Sequence, residues 1–337
     1  MIGRRALALG AAVMAAPSVR AQIKYPQGTK QRAVRFAGSG GVILAGTLLL
    51  PMVSEIQYVP GVVLIAGSGP TDRDGNNPGV PARTDVLKQI AETLARAGIA
   101  TLRYDKRGIG GSASAPLALD DQERFFAWDN FVADAQAAHA ELLRHDEIKP
   151  YATALLGHSE GGLLALAASA TLATRRPHGL VLAATPGWPY DEIIRRQMAR
   201  GAPALLATTE RVMKAIRSTG RTPSDVPREL QSLFPPYIGP FLQGAMAFDP
   251  AKSLMATDIA CLLVQGGTDD LIVPLGDIQP LLDALARRSG AGEALVVPAV
   301  SHNLKTVSGP GDPGFSGPLA PAIAAKLASW LGHLLGA

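Results

Sequence analysis

The hydrophobic positions of this chain change their period along its length. Residues 33–36 and 43–50 have strand composition, and Gly38-Ser39-Gly40-Gly41 between them supplies the glycines that a hairpin turn uses. The chain is therefore expected to open on an antiparallel pair. Beyond it, short apolar runs alternate with segments of helical period: 62–66 then 85–97, 100–102 then 125–143, 153–156 then 161–172, and after them 180–184. Apolar runs without polar alternation mark strands buried on both faces. Their separation by helices predicts a mostly parallel central sheet with helices on both faces.

From about residue 186 to 255 the alternation stops, and amphipathic helical patches punctuated by Pro223, Pro227, Pro235-Pro236 and Pro240 take its place. Proline ends helices, so this stretch is expected to be a helical cap insertion built of several short helices. The earlier pattern then returns, with apolar runs at 261–265 and 294–297 and helical periods at 278–288 and 319–335. The expected organisation is a core in two parts, 30–186 and 257–337, with the cap at 187–256 between them.

The first residues follow a different rule. Arg4 and Arg5 precede an apolar run at 6–16, and Val19-Arg20-Ala21 offers the small residues of a processing site. Residues 1–21 are therefore expected to be a secretory signal, with adjacent arginines that weakly resemble a twin-arginine export signal. The run is too short to remain as a membrane span, and no second long apolar segment follows. The mature chain is thus expected to be exported to the periplasm or secreted, without stable membrane insertion. Lysine and arginine number 32 against 28 acidic residues, a net charge of +4, and the basic residues are scattered, which argues against a nucleic-acid partner. The single cysteine, Cys261, excludes an intramolecular disulfide and begins an apolar run, so it reads as core. No Cys/His spacing suggests a zinc site, and no cofactor is expected. Oligomeric state is left open by the sequence.

The strongest chemical signal is Leu155-Leu156-Gly157-His158-Ser159-Glu160-Gly161-Gly162, an apolar run entering a tight turn and then an Ala/Leu-rich helix. This is a nucleophile-elbow pattern, G-x-S-x-G, in the strand-turn-helix context it requires. Gly157 and Gly161 give the clearance such a turn needs, and Ser159 falls beside a helix N-terminus that favours developing negative charge. A serine hydroxyl needs a histidine to take its proton and a carboxylate to orient that histidine. His302, in Ser301-His302-Asn303 just past the last predicted strand, is the expected base. His158 lies inside the elbow and is read as structural. His139, His145, His178 and His333 sit on helices or before a strand. The acid is expected in Gly267-Thr268-Asp269-Asp270-Leu271-Ile272-Val273-Pro274. Counting G-x-x-D from Gly267 favours Asp270, and counting from Gly266 selects Asp269 as the alternative acid.

The Glu160 N–H is one expected oxyanion donor. The second is expected from Ala66-Gly67-Ser68-Gly69-Pro70, after the run at 62–66, with the Ser68 N–H first and Gly69 next. The polar cluster that follows, Thr71-Asp72-Arg73-Asp74-Gly75-Asn76-Asn77, either orders its own loop through ion pairs and Asx turns or touches the substrate.

With these motifs in place the chain resembles α/β-hydrolases of the carboxylesterase type, in a bacterial esterase D-like group whose domains are similar to serine aminopeptidases and dienelactone hydrolases. Four stretches carry the resemblance: Gly67 to Asn76, Arg103-Tyr104-Asp105-Lys106-Arg107-Gly108-Ile109-Gly110-Gly111-Ser112, Gly157 to Gly162, and Ser301 to Lys305. It implies the α/β-hydrolase fold and a metal-free Ser-Asp-His esterase acting through an acyl-enzyme on a small-molecule ester with a short acyl chain. The adjacent Asp269-Asp270 departs from the single aspartate usual in that group. Amidase, peptidase or perhydrolase activity on the same frame is the enzymatic alternative, and a non-catalytic exported binding protein is the other.

Overall fold

The computed structural model of the 337-residue chain describes residues 28–51, 58–80, 82–113, 117–172, 175–274, 276–309 and 311–337. The leader expected at 1–21 lies outside the described residues. The eight strands are β1 (Thr29–Ala37), β2 (Ile43–Pro51), β3 (Val59–Ile65), β4 (Ala100–Tyr104), β5 (Ile148–His158), β6 (Gly179–Ala183), β7 (Ala260–Gly266) and β8 (Gly292–Val297). They form one sheet in the order β1-β2-β4-β3-β5-β6-β7-β8. The opening hairpin pairs Ala37 with Ile43, and β2 runs antiparallel to β4. Every neighbour pair from β4 through β8 is parallel.

The helices are α1 (Val86–Arg96), α2 (Leu119–Phe125), α3 (Trp128–Leu142), α4 (Glu160–Thr171), α5 (Tyr190–Gly201), α6 (Leu206–Thr219), α7 (Gly239–Ala247), α8 (Pro250–Met255), α9 (Gln279–Arg287) and α10 (Pro321–Leu335). The strand runs read as buried on both faces behave so with a period of two. Val63, Ile65, Leu155, Leu180, Leu182 and Leu263 join the core under α3, α4 and the cap. Val62, Leu64, Leu156, Val181, Leu262 and Val264 face the second core, against α1 and α10. Cys261 belongs to the first core and is fully buried, which pushes its thiol up to about 12 and keeps it protonated.

Two boundaries differ from the periodicity. The helical period at 125–143 corresponds to α3, which starts only at Trp128, because a separate helix α2 ends at Phe125 and the chain breaks at Phe126-Ala127, where Phe126 stacks on Phe131 and packs on Tyr237. β5 begins at Ile148, well before the apolar run at 153–156, because its first residues lie on the sheet's rim, where Tyr151 is exposed. Every regular element described between β6 and β7 is helical; the named prolines fall between α6 and α7 and at the start of α7, while the breaks after α5 and α7 come at Pro203 and Pro250. Among the described residues, no helix is long and apolar enough to cross a membrane.

Candidate active site

Parallel strands end on the same edge of a sheet, so the loops after β3, β4, β5, β7 and β8 meet there. At the end of β5 the chain turns directly into α4 through Ser159, whose φ of 56° and ψ of −124° are strained for a residue with a side chain. The turn is held by a hydrogen bond of 2.8 Å from the Ser159 N–H to the Ala183 carbonyl on β6. Its closeness explains the flanking glycines. A Cβ on Gly157 would stand 2.0 Å from the Gly161 carbonyl oxygen, and one on Gly161 would stand 2.2 Å from that of Ile65. Helix α4 is buried along most of its length, so its N-terminus is fixed beneath Ser159.

The structure corrects the choice between the two aspartates. Asp269, not Asp270, reaches His302, with its Oδ2 2.8 Å from His302 Nδ1. Asp270 points to solvent. The reason lies in the glycines. A Cβ on Gly266 would meet the Val300 and Ser301 carbonyls at 2.4 Å, closer than any contact at Gly267, so the tight passage after β7 comes one residue earlier than a count from Gly267 assumes. The Thr268 N–H and hydroxyl both donate to the Val300 carbonyl, which ties this turn to the loop that bears His302.

Asp269 is held as an anion by its surroundings. Its Oδ1 accepts from the Leu271 and Ile272 N–H groups at 2.9 and 2.8 Å, and its Oδ2 accepts from Gln265 Nε2 at 2.8 Å. Burial pushes the carboxyl up. His302 and these hydrogen bonds outweigh it and hold the group below the ordinary aspartate range. A carboxylate on Nδ1 leaves Nε2 of His302 as the basic nitrogen.

His158, read as structural, has that geometry. Its Nε2 donates to the His302 carbonyl at 2.8 Å, and the two rings lie 4.9 Å apart between centroids. Burial, with the charge of His302 beside it, lowers its pKa to about 4, so it stays neutral and ties the histidine loop to the elbow. Of the other histidines, His139 is buried against Thr153, His145 bonds Arg32, and His178 and His333 are exposed.

The loop after β3 comes alongside. A Cβ on Gly67 would lie 3.3 Å from Ser159 Cβ, and Ser68 and Gly69 line one cavity with Ser159 and Glu160. Among the described residues no acceptor is bonded to the N–H of Ser68 or of Glu160. The Ser68 carbonyl is fixed by the Thr71 hydroxyl at 2.7 Å. In the polar cluster that follows, Asp72 Oδ1 accepts from the Asp74 and Asn76 N–H groups, as an Asx turn does. Arg73 pairs with Asp105 at 2.6 Å, and Asp74 accepts from Arg103 at 2.8 Å. These bonds lash the loop to the segment after β4, which is the loop-ordering alternative left open by the sequence.

Three features carried no separate sequence signal. Lys106, from the loop after β4, is buried with Nζ 2.5 Å from the Gly67 carbonyl and 3.5 Å from Glu160 Oε1. Tyr190, the first residue of α5 in the cap, donates to Glu160 Oε2 at 2.7 Å. Gln265, inside the apolar run of β7, is a further side-chain partner of Asp269 beside His302. Above them the cap closes a cavity of about 510 Å³, walled by Phe126, Phe131, Ile194, Tyr237, Phe241 and Leu242.

A mostly parallel sheet with a strained serine elbow after β5 and a buried Asp-His pair at the ends of β7 and β8 gives the chain the α/β-hydrolase fold. Residues 78–233 match the family described as serine aminopeptidase, S33. Over 232 residues the chain is 28% identical to esterase EstD of Thermotoga maritima, covering 67% of this chain and 50% of that protein. It thus spans about half the length of the curated relative it matches. Among solved structures it is similar to Est1E from Butyrivibrio proteoclasticus with ferulic acid bound, with a TM-score of 0.59 and 15% identity over 90% of this chain and 100% of that one. It is also similar to a puromycin-hydrolyzing peptidase of Mycobacterium tuberculosis, with a TM-score of 0.58 and 19% identity over 91% of this chain and 40% of that one. At these identities the solved structures establish the fold.

Proposed function

We propose that this protein is a serine carboxylesterase. Ser159 attacks the ester carbonyl while His302 takes its proton, and Asp269 holds the imidazolium that forms. The Glu160 and Ser68 N–H groups, with Gly69 adjoining, receive the oxyanion. The alcohol leaves with a proton from His302. Water, activated by the same histidine, then attacks the acyl-enzyme, and the acid departs. The observation that carries the reading is the 2.8 Å pair of Asp269 and His302, whose loop is bonded through His158 to the elbow of Ser159.

Ester rather than peptide hydrolysis is supported by the charge of the cavity. An aminopeptidase needs a free carboxylate to hold the substrate's α-ammonium. Among the described residues lining the cavity Glu160 is the one acid, and it is engaged by Lys106 and Tyr190. A volume of about 510 Å³ with apolar walls is ample for a small-molecule site and accommodates the short acyl chain proposed. A series of p-nitrophenyl esters from acetate to octanoate, run beside aminoacyl naphthylamides, tests this. Hydrolysis of the esters with the naphthylamides left intact is expected. Cleavage of the naphthylamides with inert esters overturns it in favour of a peptidase.

A further inference from the structure

Burying an ammonium group is costly unless it is paired and hydrogen-bonded, so the position of Lys106 under the cavity floor needs a physical reason. The ion pair with Glu160 supplies only part of it, because that contact is 3.5 Å long and Glu160 makes its short bond, 2.7 Å, to Tyr190. The short bond of Lys106, 2.5 Å, goes to the Gly67 carbonyl. In a trans peptide the C=O of one residue and the N–H of the next leave opposite edges of one plane. No described peptide is cis, so fixing the Gly67 oxygen fixes the direction of the Ser68 N–H. A charge-assisted bond to the oxygen also polarises the whole peptide and makes that N–H a stronger donor. The same peptide packs against the nucleophile, since a Cβ on Gly67 would lie 3.3 Å from Ser159 Cβ.

We propose that Lys106 is a positioning residue for ester hydrolysis: its Nζ orients and polarises the Gly67–Ser68 peptide so that the Ser68 N–H serves as an oxyanion donor. The inference rests on the esterase reading and adds a residue that no motif assigns. Glu160 takes part twice. Its backbone N–H is the other donor, and its carboxylate lies beside the Lys106 ammonium and accepts from Tyr190 on α5. Both donors are thereby tied to one buried cluster that reaches the cap. Burial pushes the Lys106 ammonium below the usual lysine range, and the Glu160 carboxylate opposes that shift.

The test compares wild type with Lys106→Met, which keeps the stem and removes the donor. The substrate is p-nitrophenyl butyrate. An alkyl trifluoromethyl ketone, whose adduct with Ser159 places an oxyanion in the hole, is measured as inhibitor, with butyrate as ground-state product. The expected result is a kcat lower by about a hundredfold with KM within about threefold, in line with loss of one oxyanion donor. The ketone should lose affinity by the same factor, and butyrate should bind as before. A kcat within about threefold of wild type overturns the proposal, as does an equal loss for ketone and butyrate, which marks general disorder of the site. Should Lys106→Met fail to fold, Lys106→Gln retains a neutral donor. A loss of about tenfold in kcat at unchanged KM supports the proposal there, and wild-type kcat overturns it. The esterase reading fails separately, if wild type itself leaves the ester uncleaved.

Discussion

At the scale of single residues, adjacent aspartates have been given opposite fates by one glycine. Asp269 is buried and receives four hydrogen bonds, while Asp270 faces water. Replacing Asp269 by Asn removes the carboxylate that fixes the His302 tautomer, and kcat is expected to fall by about ten-thousandfold. Asp270→Asn is expected to stay within about twofold, as exposed substitutions do. Steady-state kinetics of the two variants on one ester decides it, and a large loss confined to Asp270→Asn would reverse the assignment. Ser159, His302 and the Ser68-Gly69 turn were legible because each sits in a local motif at the end of an apolar run. The acid was not, because G-x-x-D can be counted from Gly266 or Gly267. Only the contact of Gly266 with the Val300 and Ser301 carbonyls, more than thirty residues away in the chain, separates the two.

At the scale of elements, the parallel strands and the helices flanking them follow from hydrophobic period alone. Lys106, Tyr190 and Gln265 do not, since a polar residue past a strand end, at the start of a helix or inside an apolar run shows its partner only after the chain has folded. The hydrogen bond between α3 and β5 has a further consequence. His139 on α3 is buried against Thr153, and burial, with His178 nearby, lowers its pKa to about 4. His158, at the end of β5, is lowered to about 4 as well. The unfolded chain takes up protons on both below about pH 6.5, whereas the folded chain does so only near 4. Stability is therefore lost as pH falls through that window, by roughly 3 kcal/mol per histidine at most. Unfolding free energies in urea between about pH 7 and pH 4.5 should show this decline. His139→Gln, which preserves a partner for Thr153, should flatten it. An unchanged slope in the variant would exclude His139 as a source.

At the scale of the whole molecule, the fold brings loops from five strands to one edge and sets a helical cap over them. The sheet and the helical character of the segment between β6 and β7 were readable from the sequence. The cavity was not, because its walls combine Phe126 and Phe131, ahead of the elbow, with Ile194, Tyr237 and Phe241 from the cap. The central claim is that Ser159 is the nucleophile at that edge. Labelling with a fluorophosphonate probe, with the adduct located by mass spectrometry, tests it most directly. A single adduct on Ser159 is the predicted result, together with an unlabelled Ser159→Ala variant whose kcat is lower by about a million-fold. A folded, ester-cleaving wild type with no adduct on Ser159 would contradict the account.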